Sequence, residues 1–200
     1  MDKKAIKKFA MESRVKLREG VINRLAKLGI TESNIDPVIE LGNDTITISS
    51  NEQRYTGKDV INRTKLVEAL KAREKQLDLG EKKSKAIAFD NLVEEVAYTW
   101  FNRLIAIRFM EVNNYLPERQ RILSSESGEP DIITNLLSSN LYAEMDPDTK
   151  SRVVDLMSDN SAAAVDELYQ LVFIKQCNSL NQLLPDLFEK IDDYTELLFT

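Results

Sequence analysis

Small or apolar residues recur every three or four positions over residues 3–28. Ile6, Ala10, Ser13, Leu17, Val21, Leu25 and Leu28 fall on one face, which predicts an amphipathic helix. Gly29 follows as a C-cap, since a residue without a Cβ accepts the left-handed backbone that ends helices. Residues 31–40 read as a short helical turn around Pro37. The period then drops to two at Thr45, Ile46, Thr47 and Ile48. Two short strands around Ser50–Glu52 predict a small β-hairpin near residues 45–56. A single hairpin is marginal in water, so it should lie against helices.

Helical periodicity returns over 58–77 and is broken at Asp78, Leu79 and Gly80. It resumes in a longer helix over 81–113, with one stripe of Val93, Val96, Trp100, Leu104 and Ile107. Phe89, Leu92, Phe101, Ile105, Phe109 and Val112 widen that stripe to most of the circumference. A helix apolar nearly all round is expected to be buried by neighbours on several sides. Pro117 bars its continuation. The loop-like stretch 117–130 reads as a sub-boundary. Helices follow at 131–140, at 147–158 (Asp146 as cap, Pro147 in the first turn), at 161–183 (Ser161 as cap) and at 186–198 from Asp186. The fold class is mainly α, a multi-helix bundle-like domain with a small β-hairpin.

Composition sharpens this picture. Only 6 glycines and 5 prolines among 200 residues disfavour turn-rich sandwiches and barrels, while 42% hydrophobic and 30% charged residues suit a soluble domain with a core. No run approaches the ~18 apolar residues of a membrane span, because Arg103 and Arg108 interrupt the best stretch. The opening MDKKAIKKFAMESRVKLREG has no apolar h-region and does not read as a signal peptide. With one cysteine and so no internal disulfide, a reducing, intracellular setting is the expectation.

The absences exclude much chemistry. With no histidine, Ser-His and Cys-His mechanisms and His-containing zinc sites are out. The six glycines form no GxG pair, so there is no P-loop and no dinucleotide fingerprint. No Pro-Pro pair exists for the [DN]-P-P-[YF] element of amino-methyltransferases. Adjacent carboxylates such as Glu94-Glu95 lie about 100° apart on a helix and do not converge on one substrate. Cys177, in an apolar helical stretch, reads as a buried inert thiol. No catalytic, cofactor-binding or metal residue is assigned.

Charge supplies the candidate sites. The net of −6 hides an asymmetry: residues 1–128 carry 23 basic and 19 acidic side chains, whereas 129–200 carry 4 and 14. Lys4, Lys7, Lys8, Arg14 and Arg18 lie together beside the stripe of the first helix. They form either a phosphate-contacting cluster or a solvated face. Arg103 and Arg108 need partners, because a lone buried charge is very costly. Glu111 is within local reach of Arg108, and the alternative is an outside anion or a DNA backbone.

Three segments carry a family resemblance: MDKKAIKKFAMESRVKL at the start, EEVAYTWFNRLIAIRFMEVNNYLPERQRILSS at 94–125, and IKQCNSLNQLLPDLFEKIDDYTELL at 174–198. Together they resemble the N-terminal region of PglX, the adenine-specific DNA methyltransferase family of the BREX phage-defence system. The middle segment is the most specific, and 31–80 the weakest. The resemblance implies that residues 1–200 are an N-terminal helical domain, a fragment of a longer chain. The S-adenosylmethionine pocket, the N-P-P-Y-type motif and target recognition would follow it, so no family residue carries over.

Two readings follow. In the first, a non-catalytic domain helps clasp double-stranded DNA and assemble the enzyme with the remaining methyltransferase domains. In the second, an interaction module docks another BREX component or a phage inhibitor. Acidic DNA-mimic phage proteins would prefer the basic face. No cofactor is expected in this chain, and S-adenosylmethionine is implied for the parent enzyme.

Overall fold

Gly29 is the point where the first helix meets the β element. A computed structural model describes residues 3–116, 119–124, 130–159, 161–185, 188 and 194–198. Helix α1 (Lys3–Lys27) ends in a Schellman motif: Ile30 N–H donates to Leu25 O at 2.9 Å and Gly29 N–H to Ala26 O at 3.0 Å. Gly29 has a φ of +69°. The carbonyls left over at this end are taken by later elements. Asn51 Nδ2 and Tyr55 Oη donate to Lys27 O, and Arg63 Nε donates to Leu28 O at 2.9 Å. Arg63 Nη2 also donates to Asp36 O at 3.0 Å, so one buried guanidinium ties α2 to α1 and to the loop after it.

The β element is larger than the alternation predicts. Strands β1 (Val38–Gly42), β2 (Thr45–Ile48) and β3 (Arg54–Thr56) form an antiparallel sheet in the order β1-β2-β3. The helical turn expected around Pro37 over 31–40 is therefore corrected, since Val38–Gly42 is a strand paired with β2. The deciding feature is the turn at Asn43 and Asp44, both at positive φ (50° and 52°), which folds the chain back as a tight hairpin. The sheet buries Ile46, Ile48 and Tyr55, with Ile46 opposite Tyr55, while β1 is exposed throughout.

Helix α2 (Lys58–Leu77) and helix α3 (Glu81–Val112) follow the predicted spans. The break between them is set by left-handed Asp78 and Gly80. Two compact units divide the chain, Met1–Phe101 with Asp192–Thr200, and Asn102–Ile191. The division falls within α3. The 117–130 stretch, read as a sub-boundary, lies inside the second unit, and its residues 117, 118 and 125–129 are outside those described. Pro117, expected to stop α3, is among them.

In the first unit the core is drawn from α1 (Val21, Leu25, Leu28), β2, α2 (Leu66, Leu70) and α3 (Leu92, Val93, Val96, Trp100). Each such side chain contributes roughly 1.5–3 kcal/mol. The stripe of α1 is buried only at its C-terminal end. Ala10, Ser13 and Leu17 are half-buried, and the side chain of Ile6 is outside those described. Of the expected last helix over 186–198, the 3-10 turn Tyr194–Leu198 is described and packs on α1 and α2, while Asp186 lies outside the described residues.

In the second unit, the single helix expected over 131–140 is corrected to three short pieces: α4 (Asp131–Thr134), a 3-10 turn (Leu136–Ser138) and α5 (Asn140–Ala143). Ser139 is the reason for the last break, because its hydroxyl accepts Tyr142 N–H and restarts the chain as an N-cap. Helices α6 (Pro147–Ser158) and α7 (Ala162–Leu183) pack together and carry the predicted caps. Asp146 accepts Thr149 N–H at 2.9 Å, and Ser161 accepts Ala164 N–H at 3.2 Å. The all-round burial expected of α3 fails near its end, where Ile105, Phe109 and Val112 are exposed while Ile107 and Met110 are buried. On that outer side Phe109 meets the equally exposed Tyr115 ring.

Candidate nucleic-acid interface

The five cations read from α1 divide into two groups. Lys4, Lys7 and Lys8 are exposed near the start of the helix, at spacings that put them side by side. Lys8 has Glu12 at 3.8 Å, an exposed pair of little energetic weight. Arg14 and Arg18 sit further along and meet α3. Arg14 Nη2 is 2.6 Å from Glu94, and Arg18 bridges Asp90 at 2.6 Å and Glu94. The Arg14 hydrogen bond holds the Glu94 carboxyl below the usual range, helped by Arg18. The hydrogen bond to Asp90 raises the Arg18 guanidinium in turn. Two guanidiniums are thus balanced by two carboxylates within the fold, whereas Lys4, Lys7 and Lys8 are exposed at the start of the helix.

Asp90 was not singled out by sequence reasoning, and Glu94 was weighed only beside Glu95 as a non-converging pair. The i, i+4 spacing of Asp90 and Glu94 matches that of Arg14 and Arg18, which was the available signal. Pairing across helices is invisible until the helices are placed. Arg63 was missed too. It lines a cleft of about 400 Å³ with Lys71, Lys85, Glu32, Asp36 and Glu74 over Leu70 and Phe89. Three cations there face three carboxylates, so the cleft carries no net pull on an anion.

Of the second group, Arg108 Nη1 donates to Glu111 Oε2 and to Ser124 Oγ, both at 2.9 Å. Glu111 is buried, and its Oε1 also accepts the backbone N–H groups of Ile122 and Leu123 at 2.6 and 2.5 Å. Successive N–H groups converging on one carboxylate oxygen form a small anion nest. Arg103 is buried and engaged within the fold, and its charge acts on Cys177. Cys177 is fully buried, and desolvation pushes its thiol up to about 12. Such a thiol has no thiolate to attack with.

No protein-family model matches the chain. Over its whole length it is 40% identical to the adenine-specific methyltransferase PglX of Lacticaseibacillus casei (strain Zhang). The chain is similar, end to end, to a segment of PglX. Over 99% of its length it is also 34% identical to the adenine-specific methyltransferase BrxX of Escherichia coli O9:H4 (strain HS). It spans 16% of PglX and 15% of BrxX, which fits the resemblance to one region of a much longer enzyme.

No residue of the PglX-like segment is assigned to S-adenosylmethionine, and no step through that cofactor is derived for these residues. Among the described residues, no helix is long and apolar enough to cross a membrane.

Proposed function

We propose that this chain is a non-catalytic helical domain of a BREX-type, S-adenosylmethionine-dependent DNA adenine N6 methyltransferase, and that it supports DNA clasping and assembly of that enzyme. The similarity to PglX over the whole chain, covering 16% of that enzyme, is the observation that supports it. In this reading double-stranded DNA meets Lys4, Lys7 and Lys8, while Arg14 and Arg18 chiefly brace α1 against α3. The cofactor and the catalytic motif belong to the remaining methyltransferase domains, in the bacterial cytoplasm. Acidic DNA-mimic phage proteins would compete for the same lysines, and other BREX components are the further class of partner.

Fluorescence anisotropy with a labelled duplex tests the DNA role. The chain should bind weakly and without sequence preference. Affinity should fall steeply between about 50 and 200 mM salt, as counterion release requires. Lys4→Glu with Lys7→Glu and Lys8→Glu should lower it at least about tenfold at low salt. If the chain has no affinity at low salt and the parent enzyme ignores these reversals, the DNA role is wrong.

A further inference from the structure

The C-terminal part of α3 carries an apolar face that stays exposed among the described residues. Ile105, Phe109 and Val112 are 41%, 60% and 65% exposed. Their i, i+4, i+7 spacing sets them on one stripe. Tyr115, 64% exposed, extends the stripe past the helix end, its ring edge-on to Phe109 at 6.0 Å. The extension is held in place by a second Schellman motif. Tyr115 N–H donates to Met110 O at 2.8 Å, Asn114 N–H donates to Glu111 O at 3.1 Å, and Asn114 is left-handed at φ +56°. A single exposed apolar residue needs no explanation, but four in a row on a rigid element mark a contact surface.

The chemistry of the face selects its occupant. The nearby cation, Arg108, is committed to Glu111 and Ser124, so the stripe offers aromatic and aliphatic surface with no spare charge for phosphate. That suits a protein surface of the same character. The chain spans only 16% and 15% of the two methyltransferases it resembles, so most of such an enzyme lies beyond the matching region and covalently joined to it. A tethered surface is present at high effective concentration and outcompetes free partners of equal quality.

We propose that the Ile105–Phe109–Val112–Tyr115 face is the docking surface for the rest of the methyltransferase polypeptide. The inference rests on the reading of this chain as one domain of that enzyme. Its occupant is an apolar surface outside these 200 residues, packed against Phe109.

A photo-crosslinking phenylalanine derivative placed at position 109 of the full-length protein tests this. After irradiation and digestion, mass spectrometry should find residue 109 joined to peptides of the same polypeptide from outside this chain. Crosslinks to a second copy, crosslinks to another protein, or no crosslinked peptide at all would each overturn the proposal. A second measurement guards against a probe that merely perturbs folding. Phe109→Ser with Val112→Ser should shift melting of the 200-residue chain by less than about 2 °C, because both side chains are exposed here. The same pair should clearly lower the melting of the full-length protein, and equal insensitivity in both would also overturn docking. The underlying reading fails separately, through absence of adenine methylation by the full-length protein, whatever position 109 contacts.

Discussion

Glu94 and Glu95 are adjacent on α3 and hold different helices. Glu94 takes Arg14 and Arg18 of α1, whereas Glu95 takes Arg73 of α2 in a two-pronged pair at 2.8 and 3.1 Å. Neighbours about 100° apart on a helix cannot share a substrate, but they can brace two flanking helices at once. This adjacency is structural, and it ties Arg14 and Arg18 of α1 into the fold.

Releasing Arg14 and Arg18 should therefore strengthen DNA binding. Glu94→Gln is expected to raise duplex affinity severalfold at low salt and to steepen its salt dependence, as anisotropy would show. Stability should fall only slightly, about 0.2–1 kcal/mol per exposed pair. The pH behaviour has a definite sign. The Glu94 carboxyl is held low in the fold, so its contribution is present above the usual carboxylate range and is lost as pH falls below that range through the lowered folded value. Denaturation profiles of Glu94→Gln between about pH 7 and 3 should be flatter than those of the parent.

Glu111 should be the most sensitive polar position of the second unit. Its buried carboxylate gathers two backbone N–H groups, Arg108 and Ser124. Glu111→Ala leaves those buried donors unmatched and is expected to cost about 3 kcal/mol, read from urea unfolding. Glu111→Gln keeps one acceptor and should fall between. Equal stability of all three chains would show that the 119–124 segment is not held by this carboxylate.

Gly29→Ala tests the junction of α1 and the sheet. A Cβ there would lie 2.6 Å from Ile48 Cγ2 and 3.0 Å from Asp36 Cβ, on a backbone at φ +69°. Clash and left-handed strain together should cost at least about 2 kcal/mol. Thermal melting of the variant measures it.

Alkaline pH should weaken the fold through Cys177. Burial raises its thiol from an ordinary value near 9 to about 12, and raises the Tyr169 hydroxyl to about 12 as well. Both groups hold their protons more tightly when folded. The stability they supply is complete below pH ~9 and is lost as pH rises toward 12. Cys177→Ala with Tyr169→Phe should flatten the decline in melting temperature above pH ~9. Native Cys177 should resist iodoacetamide at pH ~8 and react only on unfolding.

Much of the fold was legible in local terms. Caps at Asp146 and Ser161, the break at Asp78–Gly80 and the ends of α2 and α3 are short-range chemistry, and the residues state them directly. The misreadings share a cause. Val38–Gly42 became a strand because Asn43 and Asp44 turn it onto β2, and a pairing partner outweighs weak local preference. The helix expected over 131–140 gave way to a new start at Asn140 because the Ser139 hydroxyl competes for the Tyr142 N–H.

The sequence by itself determined the long helices, their caps and breaks, and the family resemblance, because periodicity, caps and turn residues act within a few positions of the chain. Only the tertiary structure decided which charges are spent and which faces stay open. Arg14 and Arg18 are neutralised by carboxylates more than seventy positions away, at Asp90 and Glu94. Phe109 and Ile107 lie two residues apart, equally apolar, and end on opposite sides of α3. Coulomb attraction and burial depend on distance in space, and helix packing alone sets that distance.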